Sequence, residues 1–354
     1  MASTQNKLHY QYIPPCYIES NKIDLSKIDK IYFGNECGIG DNFVPRSFIR
    51  KVVSALPDKQ FYSIHRFGPN LFKDIPQIKE ITPKEYKKVY GVENPFYWAK
   101  PINRNFSMQK NPHLYEQIRE DGFGGLHINT WYHSLEEMAS KYYSGSAFPV
   151  LIYNFGHLFY ALGIDEIEKP ENYLPSVDYS YYNVDSLKNK LENIRKKFDE
   201  VVLVCNEMPA TKDIVRSFDF DSFLAPKIQS NPKIAFIHTA PIWNHKLNLK
   251  NVFYTDNILS GTPKPDVIYM GFIAKYCDKI IGRMSGPMAC TLTKEHLVDN
   301  PKQFLTTTDW PMLCEWAVER DYSKLDYVSP FDPEQWWQLL QRHFGEQKGN
   351  YSFG

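Results

Sequence analysis

The run Val201-Val202-Leu203-Val204 constrains the fold more than any other stretch: four apolar residues, three of them β-branched, follow one another without a polar interruption. A strand with one wet face alternates apolar and polar side chains, so a strand with no polar side chain in its middle is covered on both faces. Similar candidates lie at 233–238, 251–254, 279–282 and 303–307, around a first strand at 200–205. Helical segments intervene, notably 266–277 and 285–294. This alternation predicts an α/β fold with a parallel sheet between helical layers, and it predicts ligands at the carboxyl ends of the strands.

The upstream half repeats the pattern. Residues 30–33 read as a strand, a Gly38-Ile39-Gly40 turn follows, and Phe43, Phe48, Ile49, Val52, Val53 and Leu56 recur at helical spacing. Asn42 is the expected N-cap of that helix, with Pro45 in its first turn, where a missing N–H does no harm. Further strands are expected at 61–65, 79–82 and 125–131, and the stretch 94–111, rich in Pro, Asn and aromatics, reads as a long surface excursion. An apolar helix over 147–163 closes this half, and Glu168-Lys169-Pro170-Glu171-Asn172 with Leu174-Pro175 marks a polar connection. The expected domains are therefore 1–175 and 176–354, a division that suits a chain of 354 residues with 43% hydrophobic content. The second domain opens with an amphipathic helix from Asp185 carrying Leu187, Leu191, Ile194 and Phe198 on one stripe. A final helix from Pro333, with Trp336, Trp337, Leu339, Leu340 and Phe344, is expected to pack back on the fold.

Charge is balanced, 41 basic against 41 acidic side chains, so no global field draws the chain to nucleic acid or to an anionic membrane. The six cysteines, Cys16, Cys37, Cys205, Cys277, Cys290 and Cys314, form no Cys-X-X-Cys pair, which favours a reduced, cytoplasmic protein. The apolar run 148–162 is short and contains Asn154, Gly156 and His157, so no transmembrane segment and no signal peptide is expected. A Walker loop, zinc-ligand spacing and a Gly-X-Gly-X-X-Gly fingerprint are all missing, which argues against common ATPases and dinucleotide oxidoreductases.

Two strand-to-turn junctions carry the chemistry. At Ile280-Ile281-Gly282-Arg283-Met284-Ser285-Gly286-Pro287-Met288 an apolar strand runs into a small-residue helix whose first N–H groups are unpaired and carry the positive end of its dipole. Ser285, Gly286 and the backbone N–H groups of Met288 and Ala289 are the candidates for holding a diphosphate, helped by Arg283 or Lys212, while Pro287 sets the turn. His238 and Thr239, with Thr255 and Asp256, stand at further carboxyl ends and are candidates for holding the base and ribose of a nucleotide. Upstream, Gly38-Ile39-Gly40-Asp41 ends in a carboxylate, which either caps the following helix or acts as a general base on an acceptor hydroxyl. Gly40, His127 and Asn129 are the acceptor-side candidates, the alternative for His127 being a satisfied core histidine. Asp219-Phe220-Asp221 has the form of a divalent-cation motif, and reads equally as acid at the start of a helix.

Two α/β halves, the Gly38-Ile39-Gly40-Asp41 turn and the Ile280 to Met288 junction together resemble the GT-B glycosyltransferases, and within them the heptosyltransferase-like group. The same segments resemble glycosyltransferases encoded by large algal viruses. The resemblance implies two Rossmann-like domains facing a central cleft and Asp41 as the base. It also implies transfer from a nucleoside-diphosphate sugar to a glycan hydroxyl, inversion at the anomeric carbon, and no divalent cation or other cofactor. The chain departs from the family where Met284-Ser285 replaces the acid and hydroxyl residues before the glycine, which leaves the sugar of the donor open. A noncatalytic carbohydrate-binding protein, suggested by 15% aromatic residues, and a nucleotide-sugar epimerase are the alternative readings.

Overall fold

The computed structural model describes residues 22–34, 38–91, 100–101, 118–121, 124–130, 147–165, 167, 169–207, 220–241, 246–283, 285–307, 324–328 and 333–344. The described chain forms two compact units, the first running to Tyr182 and taking in Pro263–Pro265, the second holding the other described residues from Asn183 onward.

In the first unit, β1 (Lys30–Gly34), β2 (Gln60–Ile64), β3 (Ile78–Ile81), β4 (Lys100–Pro101), β5 (Ile118–Glu120) and β6 (Gly125–Asn129) form one sheet in the order β3-β2-β1-β6-β5-β4. The strands β3, β2, β1 and β6 run parallel, whereas β5 and β4 are antiparallel. The sheet is thus mixed rather than all parallel, and β4 comes from the stretch expected to be a surface excursion.

The single helix expected after β1 is two: α1 (Ile39–Phe43) and α2 (Arg46–Ala55). Pro45 has no N–H to continue the α1 ladder, so the first helix ends and the second restarts with Pro45 at its N-cap position. Asn42 is therefore no cap; it lies inside α1 and donates from its side chain to the Gly38 carbonyl at 3.0 Å. The apolar face of α2, Phe48, Ile49, Val52 and Val53, is buried, and Phe48 stacks on Phe155 of α4 (Ala147–Ala161) at 4.5 Å. Between them in sequence, α3 (Pro83–Tyr90) starts on a reciprocal cap. The Thr82 hydroxyl accepts the Glu85 N–H, and the Glu85 carboxylate accepts the Thr82 N–H at 2.6 Å.

The first unit extends past Pro175 because one buried carboxylate holds the chain there. Asp74 pairs with Arg46 and, at 2.7 Å, with Arg50; it also accepts the Asp178 N–H at 3.0 Å and the Tyr182 hydroxyl at 3.3 Å. Arg50 in turn donates to the Ser176 hydroxyl at 2.8 Å.

In the second unit, β7 (Glu200–Cys205), β8 (Ile234–His238), β9 (Val252–Tyr254), β10 (Lys279–Arg283), β11 (Gln303–Thr307) and β12 (Lys324–Val328) form an all-parallel sheet in the order β12-β11-β10-β7-β8-β9. Its helices are α5 (Asp185–Arg195), α6 (Phe220–Ser230), α7 (Thr255–Ile258), α8 (Met270–Lys275), α9 (Gly286–Thr291) and α10 (Pro333–Phe344). α5 stops before Phe198, whose ring meets Phe253 edge-on instead of joining the helical stripe. The helix expected over 266–277 splits into a 3-10 turn, Asp266–Tyr269, and α8. After α9 the chain makes a separate π-helical turn, Glu295–Asp299. On one face of the sheet Val202, Val204, Phe236, Tyr254, Ile281 and Leu305 pack with Trp336 and Leu340 of α10, so the final helix is part of this core.

Both sheets are wound in two directions from a central strand. In the first unit β1 leads outward to β2 and β3, and the chain then returns to β6 on the other side of β1. In the second, β7 leads to β8 and β9, and the chain returns to β10 on the other side of β7. In sheets wound this way the carboxyl ends of such a strand pair are where ligands generally bind.

Candidate functional site

At the β7/β10 switch point the two strands lie unusually close. Gly282 pairs with Cys205 at φ +153, and a Cβ built on it would stand 2.7 Å from the Cys205 carbonyl carbon. Only glycine fits, and the seam delivers Arg283, Ser285 and Gly286 onto the carboxyl edge. Arg283 is buried at the last position of β10. Ser285 occupies the N-cap position of α9 in an extended conformation, but its side chain makes no cap bond; among the described residues its buried Oγ has no partner. The Ala289 N–H bonds the Ser285 carbonyl at 2.8 Å, so it is committed to the helix and is removed from the expected set of anion donors. Gly286 and Met288 remain first-turn donors; the Met288 side chain itself is fully buried and can offer only its backbone.

Across the seam, Asn206 follows β7 and grips the next loop from both sides. Its Oδ1 accepts the Ala240 N–H and its Nδ2 donates to the Ala240 carbonyl, each at 3.0 Å. Thr239 is held by its N–H to Val204 at 2.9 Å, and its hydroxyl accepts the Glu207 N–H at 3.2 Å. Burial pushes the Glu207 carboxyl above the usual range, and the charge of Asp266 adds to the effect. His238, at the end of β8, is fully buried, and burial pushes its imidazole down to about 3, so it is neutral. Farther along, at the β9 edge, Asp256 sits in the first turn of α7 and pairs with Lys246 at 2.5 Å on the surface.

At the β1/β6 switch point of the first unit, Gly38 N-caps α1 and the Asp41 carboxylate accepts the Gly38 N–H at 2.8 Å. Gly40 lies within the same turn. Asn129 ends β6 opposite Gly34, and the Thr130 N–H bonds the Gly34 carbonyl at 3.0 Å.

His127 is not on an accessible surface. Its register partner is Tyr32, and the two rings stack at 4.6 Å inside a group that includes Tyr62, Tyr86 and Tyr90. Its Nε2 lies 3.3 Å from the buried Asp121 carboxylate; burial lowers the imidazole's affinity for a proton and Asp121 partly offsets this. The two-residue period places His127 on the sheet face that α3 covers, so the ring sits as a buried histidine partnered by Asp121, the alternative expected for it.

The structure thus brings Arg283, Ser285 and Gly286 to one edge with Thr239 and His238, and sets Asp256 at the far end of that edge. Lys212 and Asp219 lie outside the described residues, as does the side chain of Asp221, whose backbone lies in the first turn of α6. Among the described residues no group of three His, Cys, Asp or Glu is disposed to hold a metal, and no helix is long and apolar enough to cross a membrane. Asn206 and Glu207 were not singled out from the sequence; the available signal was their place directly after the apolar β7. Gly282 had a clearer one, a lone glycine inside an apolar strand.

No family model matches the chain, and no curated protein matches it by sequence. Among solved structures, the chain is similar to a glycosyl transferase family 9 protein from Veillonella parvula, with 9% identity over 94% of this chain and 93% of that one and a TM-score of 0.48. It is also similar to E. coli heptosyltransferase WaaC with ADP, at 10% identity over 89% and 97% of the two chains and a TM-score of 0.43. A third is E. coli ADP-heptose lps heptosyltransferase II, at 12% identity over 89% and 98% and a TM-score of 0.41.

Proposed function

We propose that the protein transfers a sugar from a nucleoside-diphosphate donor to a hydroxyl of a glycan acceptor, in one displacement with inversion and without a divalent cation. The observation that carries this reading is the Gly282 seam. It delivers Arg283, the unpartnered Ser285 hydroxyl and the first-turn amides of Gly286 and Met288 to the sheet edge where a doubly wound fold binds ligands. These groups supply donors and positive charge for a leaving diphosphate, and Thr239 and Asp256 stand farther along the same edge toward the nucleoside. In the first unit, Asp41 takes the proton of the acceptor hydroxyl while Gly40 and Asn129 contact the acceptor. The new bond forms between acceptor oxygen and anomeric carbon, and the bond from that carbon to the diphosphate oxygen breaks with its electron pair leaving on the diphosphate.

The amide cap on Asp41 holds its carboxylate in one orientation, which supports a positioned base as well as a helix cap. The buried thiols Cys205 and Cys277, which burial holds well above their usual proton affinity, suit a reducing compartment such as the cytoplasm. The test is incubation of the full chain with ADP-, UDP-, GDP- and CMP-linked sugars in EDTA. Slow release of free sugar from one of them, together with thermal stabilisation by the matching nucleotide, is the expected result. No release and no stabilisation with any of the four would reject the proposal, and dependence on added manganese would reject its metal-free form.

A further inference from the structure

His238 ends β8 fully buried, and among the described residues neither of its ring nitrogens has a hydrogen-bond partner. Its ladder neighbours do not help: Val204 is apolar, and the Tyr254 hydroxyl, on a ring 5.9 Å away, accepts the Leu247 N–H. Two residues back on the same face, Phe236 fills the apolar core. Among the described residues the other buried histidines each have a partner: His65 pairs with Glu80, His127 with Asp121, and His296 with the Thr291 carbonyl. A neutral imidazole carries one N–H and one lone pair, and burying both without a partner costs free energy that a phenylalanine at this position would not incur.

The location gives that cost a purpose. His238 stands at the carboxyl edge, beside the β7 loop that Asn206 holds in place, and two strand spacings, roughly 10 Å, from the end of β10. A nucleoside diphosphate anchored by its phosphates at β10 carries its ribose and base over about that span. Building on the donor site proposed above, we infer that His238 hydrogen-bonds the nucleoside half of the donor at a neutral group able both to donate and to accept, a ribose hydroxyl or the edge of the base. Phosphate is an unsuitable partner, because it lies at the other strand and would select the imidazolium, whereas burial keeps this ring uncharged.

The experiment is calorimetric titration of the full chain with ADP, UDP, GDP and CDP, followed by the tightest of these against His238→Phe and His238→Gln. The Phe variant is expected to bind about 10- to 100-fold more weakly. The Gln variant, whose amide retains a donor and an acceptor, is expected to keep most of the affinity. With 2′-deoxy and 3′-deoxy nucleotides, a hydroxyl partner is identified by the analogue on which wild type and Phe variant converge; persistence of the difference on both identifies the base edge. Equal affinity of wild type and His238→Phe would overturn the inference and leave the donor site standing. Failure of the wild type to bind any of the four nucleotides would remove the donor reading and this inference with it. Should the Phe variant not fold, histidine-selective 15N spectra of the wild type decide. The resonance missing from His238→Gln is expected to move on nucleotide addition, and an unmoved resonance overturns the inference.

Discussion

Gly282 and Cys205 face each other across the β7–β10 seam at a separation that leaves no room for a side chain on the glycine. The obstacle is backbone rather than a flexible side chain, so nothing nearby can rotate away. Gly282→Ala is expected to destabilise the protein by about 3 kcal/mol, from the positive φ and the forced separation of two central strands together. Urea unfolding measures it, and a loss under about 1 kcal/mol would mean that the seam opens more easily than its geometry implies.

The two roles of Asp41 separate by substitution. Asp41→Asn keeps an oxygen to accept the Gly38 N–H but cannot take a proton, so it is expected to fold like the wild type and lose about 100- to 10,000-fold in transfer rate. Asp41→Ala loses the cap as well and is expected to cost about 1 kcal/mol more. A fully active Asn variant beside a destabilised Ala variant would reduce Asp41 to a cap.

Asp74 is wholly buried and anchors residues 174–182 to the first unit through Arg46, Arg50, Asp178 and Tyr182. Asp74→Ala leaves the fully buried Arg46 charge without its counter-ion and is expected to cost about 3–5 kcal/mol. The exposed Lys51–Asp165 pair is the control, and Asp165→Asn is expected to change stability by less than about 0.5 kcal/mol. Matching losses for the two variants would show that the Asp74 cluster is dispensable.

Acid stability carries the mark of His238. Burial lowers its pKa from the ordinary imidazole value of 6.5 to about 3 on folding, so the unfolded chain binds a proton that the folded chain refuses between those values. Stability is therefore unaffected by this group above pH 6.5 and declines as pH falls below it, by about 1.4 kcal/mol per unit. Comparing wild type with His238→Gln from pH 7 to pH 5 isolates the effect. The difference between them is expected to shift by about 2 kcal/mol in favour of the variant on acidification. A constant difference would show that the ring takes up a proton in the native state.

Most of the framework was readable from hydrophobic pattern because burial on both faces leaves little ambiguity. Strand β7 matches the expected 200–205, strand β11 the expected 303–307, and α10 runs from Pro333 to Phe344. Strand β12 was missed: Lys324-Leu325-Asp326-Tyr327-Val328 alternates charged and apolar residues at a sheet edge, where packing imposes a weaker pattern than in the centre. The break at Pro45 was missed because a proline near a helix start is tolerated, and the text of the sequence does not say which of two adjacent helices it starts.

The site divides the same way. Glycine turns drew attention to Asp41 and Ser285, and both do lie at helix starts, since backbone requirements act locally. His127 carried two readings, an acceptor contact and a satisfied core histidine, because alternation tells which side chains share a face but not whether another element covers it. Here Tyr86 and Tyr90 of α3, joined to it only through the fold, decide its surroundings. Asn206 and Glu207 gave no signal of their own, because their importance comes from the order in which strands are laid into the sheet.

The two-sided grip of Asn206 on Ala240 has a kinetic meaning. A loop root pinned at both its amide and its carbonyl surrendered its freedom when the chain folded. If the donor proposed above is bound at this edge, that part of the ordering cost is met before it arrives, and pinning Ala240 adds nothing to the wait for encounter.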